Sequence, residues 1–544
     1  MFTTVSKSPS RAVKPGRMPR KPAPKGLILA ICCMSLFIVS MDATVVNVAL
    51  PAISRDLNAS ISDLQWIVDG YTLTLASFLL LSGSTADRLG RRRVFQVGLV
   101  VFSIGSLLCS VAPSIGFLIF ARVLQALGGS MLNPVAMSII TNTFTEKKAR
   151  ARAVGVWGAI VGVSMAFGPL VGGALTETVG WRSVFWVNVP VGVAAIILCA
   201  IFVPESRATK ARKLDPIGQL LVIVALVSLV FGLIEGTRQG WGSPLIIGLF
   251  VLSAVAVVLL LRHESRTAQP FVDLRFFQSV PFSSATIIAL CAFAAYGAFL
   301  FINALYLQDV RGLSAFETGI YMLPLAIATL VCSLISGRLV GRFGTRPSLV
   351  IAGTLLAASA VSLTFLTATT PDAQLLVSYV LFGLGFGMVN APITTTAVSG
   401  MPLSQAGVAA GLASTSRQVG VSVGVALAGT VTGAGASAMI GAGFATATHA
   451  MWWIVVGCGL TIAALGIAST TAWARQTTEK IGHLLAEPVA TGAVKVSATA
   501  RGAVQAAASQ TDASQPTSVR PAAGQPAASH TDVITAGEAR GGIQ

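Results

Sequence analysis

Charge is what this chain has least of. Asp, Glu, Lys and Arg make up only 10% of 544 residues, against 54% hydrophobic ones, too few to cover the surface of a water-soluble globule of this size. A membrane protein is therefore expected. Histidine is scarce too: His263, His449, His483 and His530 fall in predicted loops or the tail, without ligand spacing. The seven cysteines (Cys32, Cys33, Cys109, Cys199, Cys291, Cys332, Cys458) all lie in apolar segments and read as small core residues, neither disulfides nor metal ligands. No Walker loop is present, which excludes a self-contained ATP-driven pump. The net charge of +17 would suggest nucleic acid in a soluble chain. Here the basic residues occupy short loops and the N-terminal arm, where exclusion of cations from translocated loops accounts for them, so no nucleic-acid partner is expected.

What the chain does have is long apolar runs. About fourteen segments of roughly 18 or more mostly apolar residues, the length a bilayer demands, occupy approximately 26–50, 64–82, 94–113, 116–142, 153–176, 184–203, 217–235, 244–261, 282–308, 318–337, 348–367, 375–398, 408–433 and 451–472. An even number places both termini on one side. The alternating loops agree. Arg88 to Arg93, Lys147 to Arg152, Arg207 to Lys213, Arg262 to Arg275 and Arg338 to Arg346 cluster in every second loop, while the others hold only Arg55, Arg182, Arg238 and Arg311. The positive-inside rule makes the first set, and both termini, cytoplasmic. A signal peptide is not expected, because 26–50 is longer than an h-region and ends without a cleavage pattern.

The turn Gly83 to Arg93, GSTADRLGRRR, has a counterpart in Gly337 to Pro347, GRLVGRFGTRP, which keeps the first Gly, the Arg at the sixth place and the Gly at the eighth; Gly341 stands where the first has Asp87. Both turns join the second and third helices of a six-helix unit. The expected organisation is a basic disordered cytoplasmic arm at 1–25, a six-helix bundle at 26–203, two inserted helices with flanking loops at 204–281, a second six-helix bundle at 282–473, and a disordered tail at 474–544.

On these motifs the sequence resembles the major facilitator superfamily, and within it the fourteen-helix drug:proton antiporters. GSTADRLGRRR is similar to the superfamily's turn, and MDATVVNVALP (Met41 to Pro51) to the antiporters' first-helix motif. RVLQALGG (Arg122 to Gly129) resembles the fourth-helix motif and GVSMAFGPLVGG (Gly162 to Gly173) the antiporter motif of the fifth helix. WRSVFWVNVPVG (Trp181 to Gly192) and GLASTSRQVGVSVGVAL (Gly411 to Leu427) match further stretches. The resemblance implies an all-α major facilitator fold of two six-helix bundles plus two inserted helices, and a monomeric exporter of amphipathic drugs or antibiotics in the bacterial inner membrane. It would be driven by the proton gradient without a cofactor and would not be an enzyme. The alternative is an importer of an organic solute or a non-transporting sensor.

Ionisable groups within hydrocarbon are costly, so each is a functional candidate. At a rise of about 1.5 Å per residue, Asp42, Asp69 and Arg122 fall in one layer of the first bundle, in the half away from the cytoplasm. An adjacent arginine offsets the cost of ionising a buried carboxylate, so Asp42 beside Arg122 is poised to gain and lose a proton, and the two form the candidate coupling pair; a static ion pair is the alternative. Asp69, together with Asn47, Asn133, Asn390 and Arg417, is a candidate for the substrate cavity. Gly83, Asp87, Arg88, Gly90, Arg91 and Arg92 form a candidate cytoplasmic gate; by resemblance Asp87 would bond to the other bundle near the start of the eleventh helix. In the antiporter motif, Gly162, Gly168, Gly172 and Gly173 would admit a neighbouring helix closely and Pro169 would bend its own.

Overall fold

The structure, a computed structural model, describes residues 24–207, 215–267, 273–433 and 443–486. The expected arm up to residue 23, the loop bases Lys210, Arg212 and Lys213, and the tail beyond 486 lie outside the described residues. Every regular element among those described is helical. The long helices are α1 (Lys25–Leu57), α2 (Ile61–Leu89), α3 (Arg91–Ser110), α4 (Ile115–Thr143), α5 (Lys147–Thr178), α6 (Ser183–Phe202), α7 (Pro216–Gln239), α8 (Pro244–Glu264), α9 (Val280–Val310), α10 (Ala315–Phe343), α11 (Thr345–Leu363), α12 (Asp372–Ala397), α13 (Leu403–Gly433) and α14 (Gly443–Ala468).

A helix therefore stands at each expected segment, but not all are equally apolar. Twelve of the described helices are long and apolar enough to cross a membrane, and α5 makes a thirteenth if its two arms, bent by 41°, are one span. Pro169 sits just past that bend and removes a backbone hydrogen bond there. The remaining helix, α13, has ample length at 31 residues, yet Arg417, Gln418 and its many Ser, Thr and Gly residues dilute its apolarity. The chain is a multi-pass membrane protein.

Three details depart from the sequence reading. Ala472–Ala486 forms a further helix, α15, where a disordered tail was expected to begin. Its Ala474 and Ile481 are buried, and Thr477 accepts a hydrogen bond from the backbone N–H of Val280 at 3.1 Å. His263 lies in the last turn of α8, bonded to Asp215 at 2.9 Å, and His449 lies within α14 just past a break at Thr448, bonded to the Leu366 carbonyl at 2.7 Å; neither is in a loop.

Helix pairing repeats between the bundles. α1 packs on α5, α2 on α4, α3 on α4 and α3 on α6; in the second bundle α9 packs on α13, α10 on α12, α11 on α12 and α11 on α14. The second helix of each bundle starts at the same device, a Ser N-cap with a reciprocal carboxylate three residues on: Ser60 with Asp63, and Ser314 with Glu317. The eighth residue of each repeated turn, Gly90 and Gly344, has positive φ (114° and 80°), which explains why both turns keep glycine there.

The bundles meet along two seams, α2 on α13 and α5 on α10, with α1 touching α9. At the end away from the basic turns they are bonded together. Arg55 pairs with Asp309 at 3.1 Å, Gln308 donates to the Val48 carbonyl at 2.8 Å, and Glu177 accepts from the Phe316 N–H at 3.0 Å. Toward the basic end a Cβ on Gly155, Gly158, Gly337 or Gly341 would meet nothing within 4 Å, whereas on the α2–α13 seam one on Gly411 would lie 2.8 Å from Leu80.

Within the first bundle, α3 and α4 approach closely because a Cβ on Gly128 would lie 2.7 Å from the Gly98 carbonyl oxygen and 2.8 Å from Phe102 Cα. Gly128→Leu is expected to destabilise the protein by about 1–3 kcal/mol or more, read as a lowered thermal midpoint in detergent. Gly116→Leu, at a position facing open space on the same helix, should leave the midpoint nearly unchanged.

Candidate functional site

The Asp42–Arg122 pair forms. Arg122 Nη1 lies 2.5 Å from Asp42 Oδ2, both side chains being fully buried. The carboxylate's other oxygen, Oδ1, accepts from Gln125 Nε2 at 2.8 Å and Asn188 Nδ2 at 2.9 Å. Gln125 and Asn188 each also reach Ser106 Oγ at 3.1 Å, and Ser106 donates to the Phe185 carbonyl at 2.8 Å. Arg122 also donates to Gln125 Oε1 (2.7 Å) and the Ile67 carbonyl (3.2 Å), and its guanidinium lies 4.1 Å from the centre of the Tyr71 ring. Five helices, α1, α2, α3, α4 and α6, thus converge on one carboxylate.

Sequence reading found the two charges and missed Gln125, Asn188, Ser106 and Tyr71. A signal was available for Gln125, which lies three residues after Arg122 and so on the same helix face. Asn188 sits in the quoted stretch WVNVP, on a span otherwise apolar in its neighbourhood. Ser106 and Tyr71 carried no distinguishing signal, since small hydroxyls and tyrosines recur throughout.

Asp69 is fully buried but does not join this network. It faces the α2–α13 seam. Oδ1 accepts from Thr72 at 3.3 Å, Oδ2 has no partner, and Ser422 Oγ of the other bundle lies beside it without a hydrogen bond of normal geometry. One turn earlier Gln65 crosses the same seam, donating to the Val425 (3.1 Å) and Ala426 (2.7 Å) carbonyls.

Of the other polar candidates, Arg417 and Asn390 come together in the second bundle. Arg417 donates to Thr394 Oγ1 at 2.6 Å and to the Asn390 carbonyl at 3.4 Å, leaving Nε unpartnered. Asn47 and Asn133 lie elsewhere, on α1 and α4; Asn47 donates to the Ala43 carbonyl at 3.2 Å, and the Oδ1 atoms of both residues have no partner.

The antiporter-motif glycines face two neighbours. A Cβ on Gly168 would collide with Thr44 Oγ1 of α1, and one on Gly172 would lie 2.9 Å from the Val45 carbonyl. Gly173 and Gly162 instead face α10 of the other bundle, at the Ala315 carbonyl and at Leu330 (3.2 Å). Gly319 of α10 returns the contact, its added Cβ falling 2.7 Å from the Pro169 carbonyl.

The basic turn is held within its own bundle. Asp87 pairs with Arg91 at 2.8 Å, not with the start of α11. Arg92 donates its guanidinium to the Ala200 carbonyl and its N–H to Glu205 (3.2 Å), and Glu205 also sits against Gly90. Gly83 faces Pro134 at 3.7 Å.

Because a buried charge left without its partner is strongly destabilising, Arg122→Met is expected to cost about 3–5 kcal/mol. The double variant Asp42→Asn/Arg122→Met should be more stable than Arg122→Met alone in thermal denaturation; equal or lower stability would show that the charges do not act as a pair.

The chain is 37% identical to the multidrug resistance protein Stp of Mycobacterium tuberculosis, the match covering 76% of this chain and 77% of that protein. It is 38% identical to the tetracenomycin C resistance and export protein of Streptomyces glaucescens over 75% of this chain and 76% of that one. With the puromycin resistance protein pur8 of Streptomyces alboniger it shares 39% identity over 76% and 82% of the two chains. Residues 32–425, most of both bundles and the inserted pair between them, match the Major Facilitator Superfamily, and with the repeated bundle pairing this establishes that the chain belongs to that superfamily.

Proposed function

We propose that the protein is a proton-driven antiporter that exports amphipathic organic compounds, drugs or antibiotics, across the bacterial cell membrane. The observation that carries this reading is similarity, over about three quarters of the chain, to three proteins named for multidrug or antibiotic resistance, one of them also for export. The transporter acts as a monomer of fourteen spans with both termini cytoplasmic, and uses the proton gradient in place of a cofactor.

Asp42 is the proton carrier in this scheme. Its anion is held by Arg122, Gln125 and Asn188, and protonation would release the Arg122 contact at a point where four other helices meet α1. A change of packing there is what couples a proton to rocking of the two bundles. Asp69 is a second acid placed where the rocking happens, on the α2–α13 seam, opposite Ser422. The unpartnered polar atoms of Asn47, Asn133 and Arg417 would receive polar groups of a substrate. The bonds between the bundles at the end away from the basic turns would hold that end shut while the basic ends open toward the cytoplasm. When the basic ends close, Asp87 would exchange Arg91 for the N-terminus of α11, whose unpaired N–H groups favour an anion.

Three outcomes test this reading. Expression should lower accumulation of a fluorescent hydrophobic dye, and a protonophore should abolish the difference. Asp42→Asn should reach the membrane folded yet fail to drive pH-dependent efflux in vesicles; retained proton-coupled efflux would remove Asp42 from the mechanism. Gly168→Val, by meeting Thr44, should cut efflux at least tenfold at equal expression, whereas Gly155→Val, in open space, should not; comparable efflux from both would reduce the motif to ordinary packing.

A further inference from the structure

The inserted pair α7–α8 carries a groove that the transport scheme does not use. It lies where α7 begins and α8 ends and has a volume of about 390 Å³. Ile217 and Leu221 on α7 and Leu259 on α8 form its apolar wall. Ile217 and Leu259 are 58% and 48% exposed, and in a membrane-spanning pair such exposed apolar side chains face the acyl chains. Arg262, three residues after Leu259 and so on the same face of α8, and Arg266, in the turn just past the helix end, form the rim.

The charges around the groove are sorted by side. His263 lies deeper and is bonded to Asp215 through both carboxylate oxygens, at 2.9 and 3.0 Å. Glu264, two residues from Arg262, is buried on the opposite face of α8 against Gly218. Neither acid lines the groove; Asp215 meets it through His263, which is one of the lining residues. Neither Arg262 nor Arg266 makes a salt bridge among the described residues, although Arg275 and His263 do. The positive-inside rule explains why bases stand at this end of α8; it does not explain two unpaired guanidiniums above an apolar wall.

We propose that this groove binds one anionic phospholipid of the cytoplasmic leaflet. Its phosphodiester would be held by Arg262 and Arg266, whose planar donor forks suit phosphate oxygens, and one acyl chain would lie along Ile217, Leu221 and Leu259. The lipid would anchor the base of a helix that touches both bundles: α7 bonds α2 through Gln219 to the Ser77 carbonyl and through Glu235 to Trp66, and its Leu233 carbonyl accepts from Thr430 of α13.

The test uses the full-length protein, delipidated in a neutral detergent and titrated with phosphatidylglycerol or phosphatidylcholine of the same chain length, with bound lipid counted by native mass spectrometry. Phosphatidylglycerol is expected to bind preferentially, to weaken roughly fivefold for each of Arg262→Gln and Arg266→Gln, and to resist displacement by excess inorganic phosphate. It should also raise the thermal midpoint of the wild type but not of the double variant. Equal binding of the two lipids, undiminished binding by the double variant, or displacement by inorganic phosphate would each overturn the proposal. These readouts do not depend on transport, so their failure is separable from failure of the antiporter reading.

Discussion

A carboxylate and a guanidinium placed together in an apolar bundle constrain everything around them. Removing each ion from water costs several kcal/mol, and attraction between the two offsets this only if their remaining donors and acceptors are satisfied as well. The first bundle answers that demand at Asp42 and Arg122 with side chains from α4 and α6, a carbonyl from α2, and the face of Tyr71. The requirement reaches into the packing. Gln125 and Ser106 lie 3.1 Å apart only because α3 presents Gly105 where a side chain would run into the Gln125 backbone. The glycines of the α3–α4 contact thus serve the ion pair as much as the bundle.

The two bundles share their pairing pattern but not their chemistry. In the second, α9 and α12 stand where α1 and α4 stand in the first, and the buried polar contact between them is Asn303 with Tyr379, 2.6 Å apart and neutral. Ionisable groups that can exchange a proton within the spans are concentrated in the first bundle, while the second contributes Arg417. At α5–α10 the contacts are small residues on both sides, Gly173 and Gly319, backed by the carbonyls of Ala315 and Pro169.

Much of this was legible in the residues, for definite reasons. Spans are legible because hydrocarbon imposes a length and an apolarity on each segment independently of its neighbours, and every expected segment has a helix. The exception in apolarity, α13, shows the limit of the rule: Arg417 is tolerated because it turns toward Thr394 and Asn390 of a neighbouring helix. Asp42 and Arg122 were legible because a charge stands out in an apolar run. Gln125, Asn188, Ser106 and Tyr71 were not, because neutral polar side chains are ordinary in membrane helices and become a site only through what they meet.

What the sequence by itself determined is where the long helices fall, the repeated turn and the identity of the costly ions; each follows from local composition weighed against the bilayer. What only the tertiary structure decided is which ions share a site. Asp69 lies in the same predicted layer as Asp42 and Arg122, yet it faces the seam with α13, while Asn188, distant in the chain, joins Asp42 directly. Likewise Asp87 pairs with Arg91 inside its own turn, and Ala472–Ala486 folds where composition alone suggested a tail. Depth along a helix follows from counting residues, but the direction a side chain faces is set by how the helices rotate to satisfy all their buried polar groups at once, and that is a property of the assembled bundle.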